Sequence, residues 1–309
     1  MFPMFRLRAR DHIVDFPRRP LVMGIVNIND DSFSGDGTLD GAVALARARE
    51  MVRQGADIID AGAESARTNR GPISVGEELD RLGPFVAAFA SVIAGAGSSS
   101  GSGGSGGSGE APPGEGQIWP PLLSINTWRP EVARAILAVG GDILNDIGGL
   151  PDGANAAACA RSGAALVVMH TAGAPKEPRL DARYHDVMAT LEAFFEEKSA
   201  LAASAGLPED HLILDPGIDF AKQREDNLTI YRDLKRLERF HRPILLPVSR
   251  KTVIGEVLGL ENPVDRDAGT VACSVAGLLR GASILRVHNV PAAAAAAKVL
   301  DALSGASRQ

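Results

Sequence analysis

The sequence predicts a single-domain α/β fold closed into a (β/α)8 barrel, and the order of its apolar runs is the first reason. Short β-rich runs alternate with longer amphipathic or alanine-rich runs over most of the chain. That is the pattern of repeated strand–helix units. Eight β-rich runs can be counted, each apolar on both faces, as parallel strands covered by helices are. The length of 309 residues suits two average domains, but it also suits one barrel of about 250 residues with insertions. A doubly wound open sheet is the competing architecture.

Taken in order, residues 1–20 read as an N-terminal lead-in and residues 21–309 as the barrel. Strands are expected at 21–28, 56–62, 122–127, 142–147, 165–170, 212–215, 244–249 and 283–288. The first helix places Ala42, Leu45, Ala48 and Val52 on one face at helical spacing. Further helices are expected at 77–93, 131–139, 154–162, 186–205, 225–240, 266–280 and 292–303. Residues 95–117 interrupt this pattern with a Gly/Ser-rich insert. Such a stretch buries too little apolar surface to offset its ordering entropy, so a flexible loop at the bottom of the barrel is expected. The glycine spacing from Gly101 to Gly106 resembles a dinucleotide fingerprint. It neither follows a strand nor opens a helix, so it carries no such function.

Composition excludes several classes of function. With 32 basic and 38 acidic residues the net charge is −6, which argues against a nucleic-acid binder needing a basic face. No apolar run reaches the roughly 18 residues of a membrane span. Cys159 and Cys273 are too few for a disulfide framework and fall in alanine-rich helical stretches. A cytoplasmic setting is expected.

Chemistry on a barrel gathers at the C-terminal ends of its strands. Here those ends carry Asn27, Asp60, Asn126, Asn145, Met169 with His170, Asp215, Ser249-Arg250-Lys251, and Arg286 with His288. One polar strand end is an ordinary turn former; eight converging on one rim describe a site. Asp215, Asn145 and Asn126 suit the edge of a flat polar heterocycle. Arg67, Arg286 and His288 suit phosphate or carboxylate. Asn27 offers a neutral oxygen to a hydrated Mg2+. Arg250 reads as structural, paired with an acidic neighbour. His170 reads as structural too, and His185, His211 and His241 read as surface residues. Asp57 belongs to the opposite end of its strand.

At these residues the sequence resembles the dihydropteroate synthase family of TIM barrels. VMGIVNINDDSFSGDG is similar to the family's first strand and loop, and GADIIDAGAESARTNRG to the second. INTWRPEVARAILAVGGDILNDIGG matches the third and fourth units, and VVMH, LILDPGIDFAK, VSRKTVIG and ILRVHNV the fifth to eighth. The resemblance implies an enzyme that joins 6-hydroxymethyl-7,8-dihydropterin pyrophosphate to p-aminobenzoate, releasing pyrophosphate. It implies that Asp215 and Asn145 hold the pterin edge, with Lys251 on its carbonyl and Met169 beside the ring, and that Asn126 and Asp60 bind substrate. It places pyrophosphate on Asn27, Arg67, Arg286 and His288, with Mg2+ near Asn27. It sets Phe33, Ser249 and Thr252 around p-aminobenzoate. A homodimer is implied as well, with the alanine run 292–297 expected at the contact.

Three departures stand out. Ser124-Ile125-Asn126-Thr127 replaces the family's Ser-x-Asp-Thr, exchanging a charged acceptor for an amide. Glu64-Ser65-Ala66-Arg67-Thr68-Asn69 keeps the arginine of Glu-Ser-Thr-Arg-Pro-Gly but loses its threonine and proline. The first loop shifts an aspartate by one place. Two alternatives therefore stay open: a diverged pterin-binding paralogue, or a methyltetrahydrofolate-dependent methyltransferase.

Overall fold

The computed structural model describes residues 4–30, 37–65, 71–94, 114, 116–177, 179 and 181–304. Eight parallel strands form one sheet: β3 (Leu21–Asn27), β4 (Ile58–Gly62), β5 (Leu122–Asn126), β6 (Ile143–Asp146), β7 (Ala165–Met169), β8 (Leu212–Asp215), β9 (Leu245–Leu246) and β10 (Ile284–Val287). The order is β8-β7-β6-β5-β4-β3-β10-β9. A parallel bridge between Leu214 and Ile244 joins the two outer strands and closes the ring. The expected barrel is present. β9 is far shorter than the predicted run because Pro247 has no N–H to continue a ladder.

The helices are α1 (Gly41–Arg53), α2 (Val75–Ala94), α3 (Pro130–Val139), α4 (Ala154–Ser162), α5 (Val187–Ser204), α6 (Arg224–Asp233), α7 (Thr252–Leu258), α8 (Asp267–Leu278) and α9 (Val290–Ser304). Asp40 starts α1 by accepting from the N–H groups of Ala42 and Val43. α1 buries Ala44, Ala48 and Val52 against the sheet. The long helix expected at 225–240 continues beyond α6 as a tighter 3-10 stretch, Leu234–Phe240. The short α7 was not foreseen. In the alanine run, Ala293, Ala294 and Ala297 face inward and pack on the barrel.

The lead-in has structure of its own. β1 (Phe5–Ala9) and β2 (His12–Phe16) form an antiparallel hairpin. Leu7, Ala9, Val14 and Phe16 point the same way and close the bottom of the ring over Leu21, Met23, Ile58, Leu122 and Ile143. Beside this plug, Asp57 is fully buried. Its Oδ1 accepts from Arg19 at 2.6 Å and from the Ile118 N–H at 3.0 Å, and its Oδ2 accepts from the Val22 N–H at 2.9 Å. The bottom is thus plugged by apolar side chains, and its buried carboxylate has hydrogen bonds on both oxygens, which leaves the upper rim for a site.

Candidate active site

A cleft of about 840 Å³ opens at the C-terminal ends of the strands. Asn27, Asn126, Asn145, Met169, Asp215, Ser249, Lys251, Thr252, Arg286 and His288 all line it. Strand register explains part of this convergence. Asn27 pairs with Gly62, Gly62 with Asn126, and Asn126 with Asn145, so three asparagines share one layer across four strands. Gly62 keeps that layer open: a Cβ there would sit 3.3 Å from the Asn126 Cβ.

Asp60 corrects one expectation. It does not line the cleft but lies fully buried beneath it. Its Oδ1 accepts from Ser124 Oγ at 2.6 Å, and its Oδ2 accepts from Asn145 Nδ2 at 3.1 Å and Arg286 Nε at 2.7 Å. With three donors aimed at it, Asp60 orients cleft residues rather than a ligand. Because a carboxylate only accepts, it fixes the Asn145 amide with its nitrogen down. The Asn145 Oδ1 is buried and has no hydrogen bond among the described residues. That is an acceptor waiting for a partner. Arg286 spends its Nε on Asp60, and its Nη groups remain to bind an anion.

Asp215 ends β8 and is buried. Burial pushes its carboxyl up to about 6, against the opposing pull of the Gly217 N–H, Lys251, Arg286 and Lys222. The Gly217 N–H claims Oδ1 at 2.7 Å. Lys251 donates to the Ile218 carbonyl at 2.9 Å and stands 4.7 Å over the Phe220 ring. Burial lowers its pKa. Between Ser249 and Lys251 the chain passes through a left-handed residue, Arg250, at φ 59°. Its guanidinium pairs with Asp267 at 2.8 Å, the acidic partner the sequence called for.

His288 is oriented by Ser249. The Ser249 Oγ accepts from the His288 backbone N–H at 3.1 Å and lies 2.8 Å from Nδ1. In the tautomer where the Oγ–H donates to Nδ1, the ring proton sits on Nε2 as a donor. Thr252 opens α7, whose first N–H groups, of Thr252 and Val253, are accepted by Asp219. Behind the second loop, Arg129 pairs with both Glu64 and Glu78, and Lys176 stands 3.3 Å from Glu64. Arg67 and Phe33, with Asp31, Asp36, Ala66 and Thr68, lie outside the described residues.

One cleft residue escaped the sequence reading. Lys222 lines the cleft, and burial lowers its pKa to about 7. Its Nζ lies 2.9 Å from His170 Nδ1. His170 is indeed structural: burial and the Lys222 charge take its pKa down to about 3. Lys222 ends the LILDPGIDFAK stretch that carries the resemblance, but the stretch gave it no role; the folded turn shows its burial.

Among the described residues no cluster of three or more His, Cys, Asp or Glu side chains is arranged to hold a metal. No helix among them is long and apolar enough to cross a membrane.

Known proteins match this chain over the same elements. The family model for pterin binding enzymes matches residues 23–96 and 115–288 and skips most of the Gly/Ser insert. The dihydropteroate synthase of Escherichia coli K12 is 35% identical over 284 residues, which is 92% of this chain and 91% of that protein. That of Synechocystis is 36% identical, over 94% of this chain and 92% of its own length. The Thermus thermophilus dihydropteroate synthase solved with 6HMPPP superimposes with a TM-score of 0.76 at 36% identity, covering 96% of this chain and 99% of that one. The Yersinia pestis enzyme in a sulfonamide complex gives 0.82 at 32% identity, covering 98% and 100%. A match of this extent, running through every strand that lines the cleft, means that the chain belongs to the pterin-binding enzymes, in the dihydropteroate synthase family.

Proposed function

We propose that the chain condenses 6-hydroxymethyl-7,8-dihydropterin pyrophosphate with p-aminobenzoate, giving 7,8-dihydropteroate and pyrophosphate. The observation that carries this reading is the division of one cleft into two chemistries. Asp215, Asn126, Asn145 and Lys251 offer acceptors and a cation to a nitrogen heterocycle, while Arg286 and His288 offer donors to an anion. Relatives solved with 6HMPPP and with 4-aminobenzoate support the choice of substrates.

The residues support a dissociative substitution. The bond from the pterin methylene carbon to oxygen breaks, its electron pair leaves with pyrophosphate, and the electron-rich ring delocalises the cation. The p-aminobenzoate nitrogen then bonds to that carbon and loses a proton. Such a reaction needs no nucleophilic side chain. Arg286 and the Nε2–H of His288 stabilise the departing charge, with Arg67 assigned the same role from the family motif. Ionised Asp215 favours positive charge on the ring. Met169 packs beside the ring, and Ser249 and Thr252 border the aryl amine, with Phe33 assigned to the same substrate from the family motif.

Asn27 suits Mg2+ that arrives with the substrate. A single neutral oxygen at the cleft wall does not build a protein cage, and Mg2+ commonly takes most of its ligands from phosphates and water. Bound there, the ion would neutralise the leaving diphosphate. A homodimer in the cytoplasm completes the reading. Val257, Leu258, Val264 and Leu279 support it as exposed apolar side chains around α7 and α8.

The test is pyrophosphate release from the pterin pyrophosphate by the purified chain. Release is expected to require Mg2+ and to stop on adding EDTA, while formation of dihydropteroate as co-product is expected to require p-aminobenzoate as well. No release in the presence of all components would sink the reading.

A further inference from the structure

We infer that Lys222 is a positioning residue that sets the turn between β8 and α6, so that Asp215 and Lys251 meet the pterin at fixed atoms. The inference rests on the pterin reading above. Lys222 Nζ donates to the Gly217 carbonyl at 2.9 Å and the Phe220 carbonyl at 3.0 Å, and lies 2.9 Å from His170 Nδ1. An ammonium has three N–H groups, and these are three acceptors. The fourth neighbour, the His170 carbonyl, is more distant at 3.3 Å.

Each residue the ammonium gathers leads to the site. Gly217 adopts a left-handed φ of 67°, and a Cβ there would fall 1.9 Å from the His170 carbonyl oxygen. Only glycine fits, and its N–H is what orients the Asp215 carboxylate. The Ile218 carbonyl receives Lys251 Nζ, and the Phe220 ring lies beneath the same ammonium. Asp219 accepts from the first N–H groups of α7, beside Lys251. His170 is held as well, edge-on to Phe194 at 4.8 Å and Tyr184 at 5.9 Å. Its Nδ1 therefore stays where Lys222 needs it. The charges facing Lys222 are Asp215, Asp219, Asp226 and Lys251. Lys222 thus ties the loop into one piece without being required to touch substrate.

The experiment measures binding of the pterin pyrophosphate by calorimetry for the wild type, Lys222→Met, Lys251→Met and the double variant. Lys222→Met is expected to weaken binding by about tenfold or more. In the Lys251→Met background the same change is expected to cost less, because one of the two groups it positions is gone. Equal losses in both backgrounds would overturn the proposal, as would a folded Lys222→Met chain that binds like the wild type. Loss of the near-ultraviolet dichroism of both Lys222→Met and Lys222→Gln would assign the residue to stability and also overturn it. A wild-type chain that takes up no pterin would instead remove the underlying reading, and this inference with it.

Discussion

Asp57 and Asp215 are both buried aspartates of the same barrel, one at the foot of β4 and one at the head of β8, and their surroundings differ in kind. Asp57 has a buried arginine and two backbone N–H groups on its two oxygens. Asp215 has one N–H on one oxygen and an open cleft before it. The difference teaches how to tell scaffold from site when residue type and burial are the same. A saturated carboxylate holds the chain together, whereas a half-satisfied one is a cost the fold tolerates for a ligand.

The largest expected effect is at the bottom. Asp57→Ala leaves the Arg19 guanidinium buried without its counter-ion and strips acceptors from the Val22 and Ile118 N–H groups. A loss of about 3–5 kcal/mol is expected in urea unfolding. Protein that remains folded should bind pterin as before. Unchanged stability would break the contrast.

Burial raises the pKa of both aspartates, but at the top no buried arginine is left unpaired by substitution, so the expected effect on stability has the opposite sign. Because burial raises the Asp215 pKa to about 6, the folded chain holds a proton there that the unfolded chain has already released. Stability therefore falls as pH rises towards and through about 6, and the full cost is present above it. Asp215→Asn escapes that cost. It is expected to be more stable than the wild type by up to about 3 kcal/mol at pH 8, with the advantage vanishing near pH 4. Pterin binding should weaken by about tenfold to a hundredfold. Wild-type binding should itself decline below pH 6 as Asp215 takes up its proton. A less stable Asp215→Asn chain at pH 8 would show that the carboxylate belongs to the scaffold after all.

The same contrast explains what the sequence disclosed. The barrel was legible because strand and helix periods alternate eight times, and the rim was legible because side chains at strand ends share one address. The hairpin was not. FRLRA and HIVDF do alternate, but the tip has no Asn-Gly or Gly pair; Arg10 takes the left-handed turn at φ 52°. Asp60 was read as a ligand contact from its place near a strand end. Its residue number could not reveal that Ser124, Asn145 and Arg286 would all point at it. Lys222 lay in a loop, where a lysine ordinarily means solvent. The Asp60 contacts join residues distant in sequence, which no local pattern encodes. The hairpin and the Lys222 turn are largely local, and the hairpin lacks the turn residues that would announce it.

The smallest effect concerns Asn126, which sits in the asparagine layer of the cleft where the family has an aspartate. A neutral hydrogen bond contributes about 1 kcal/mol, and a charge-assisted one about 1.5–3 kcal/mol. Asn126→Asp should therefore tighten pterin binding by up to about tenfold at pH 8. A second carboxylate in the same cleft also repels Asp215 and pushes its pKa further above the present value of about 6. The gain should then shrink as pH falls towards 6, and calorimetry at the two pH values separates the terms. If binding at pH 8 is unchanged or weaker, the amide is not a defect of this site. The neutral side chain is then what lets Asp215 stay ionised in so buried a place, and the charge of the cleft, more than the count of its hydrogen bonds, is what the sequence has tuned.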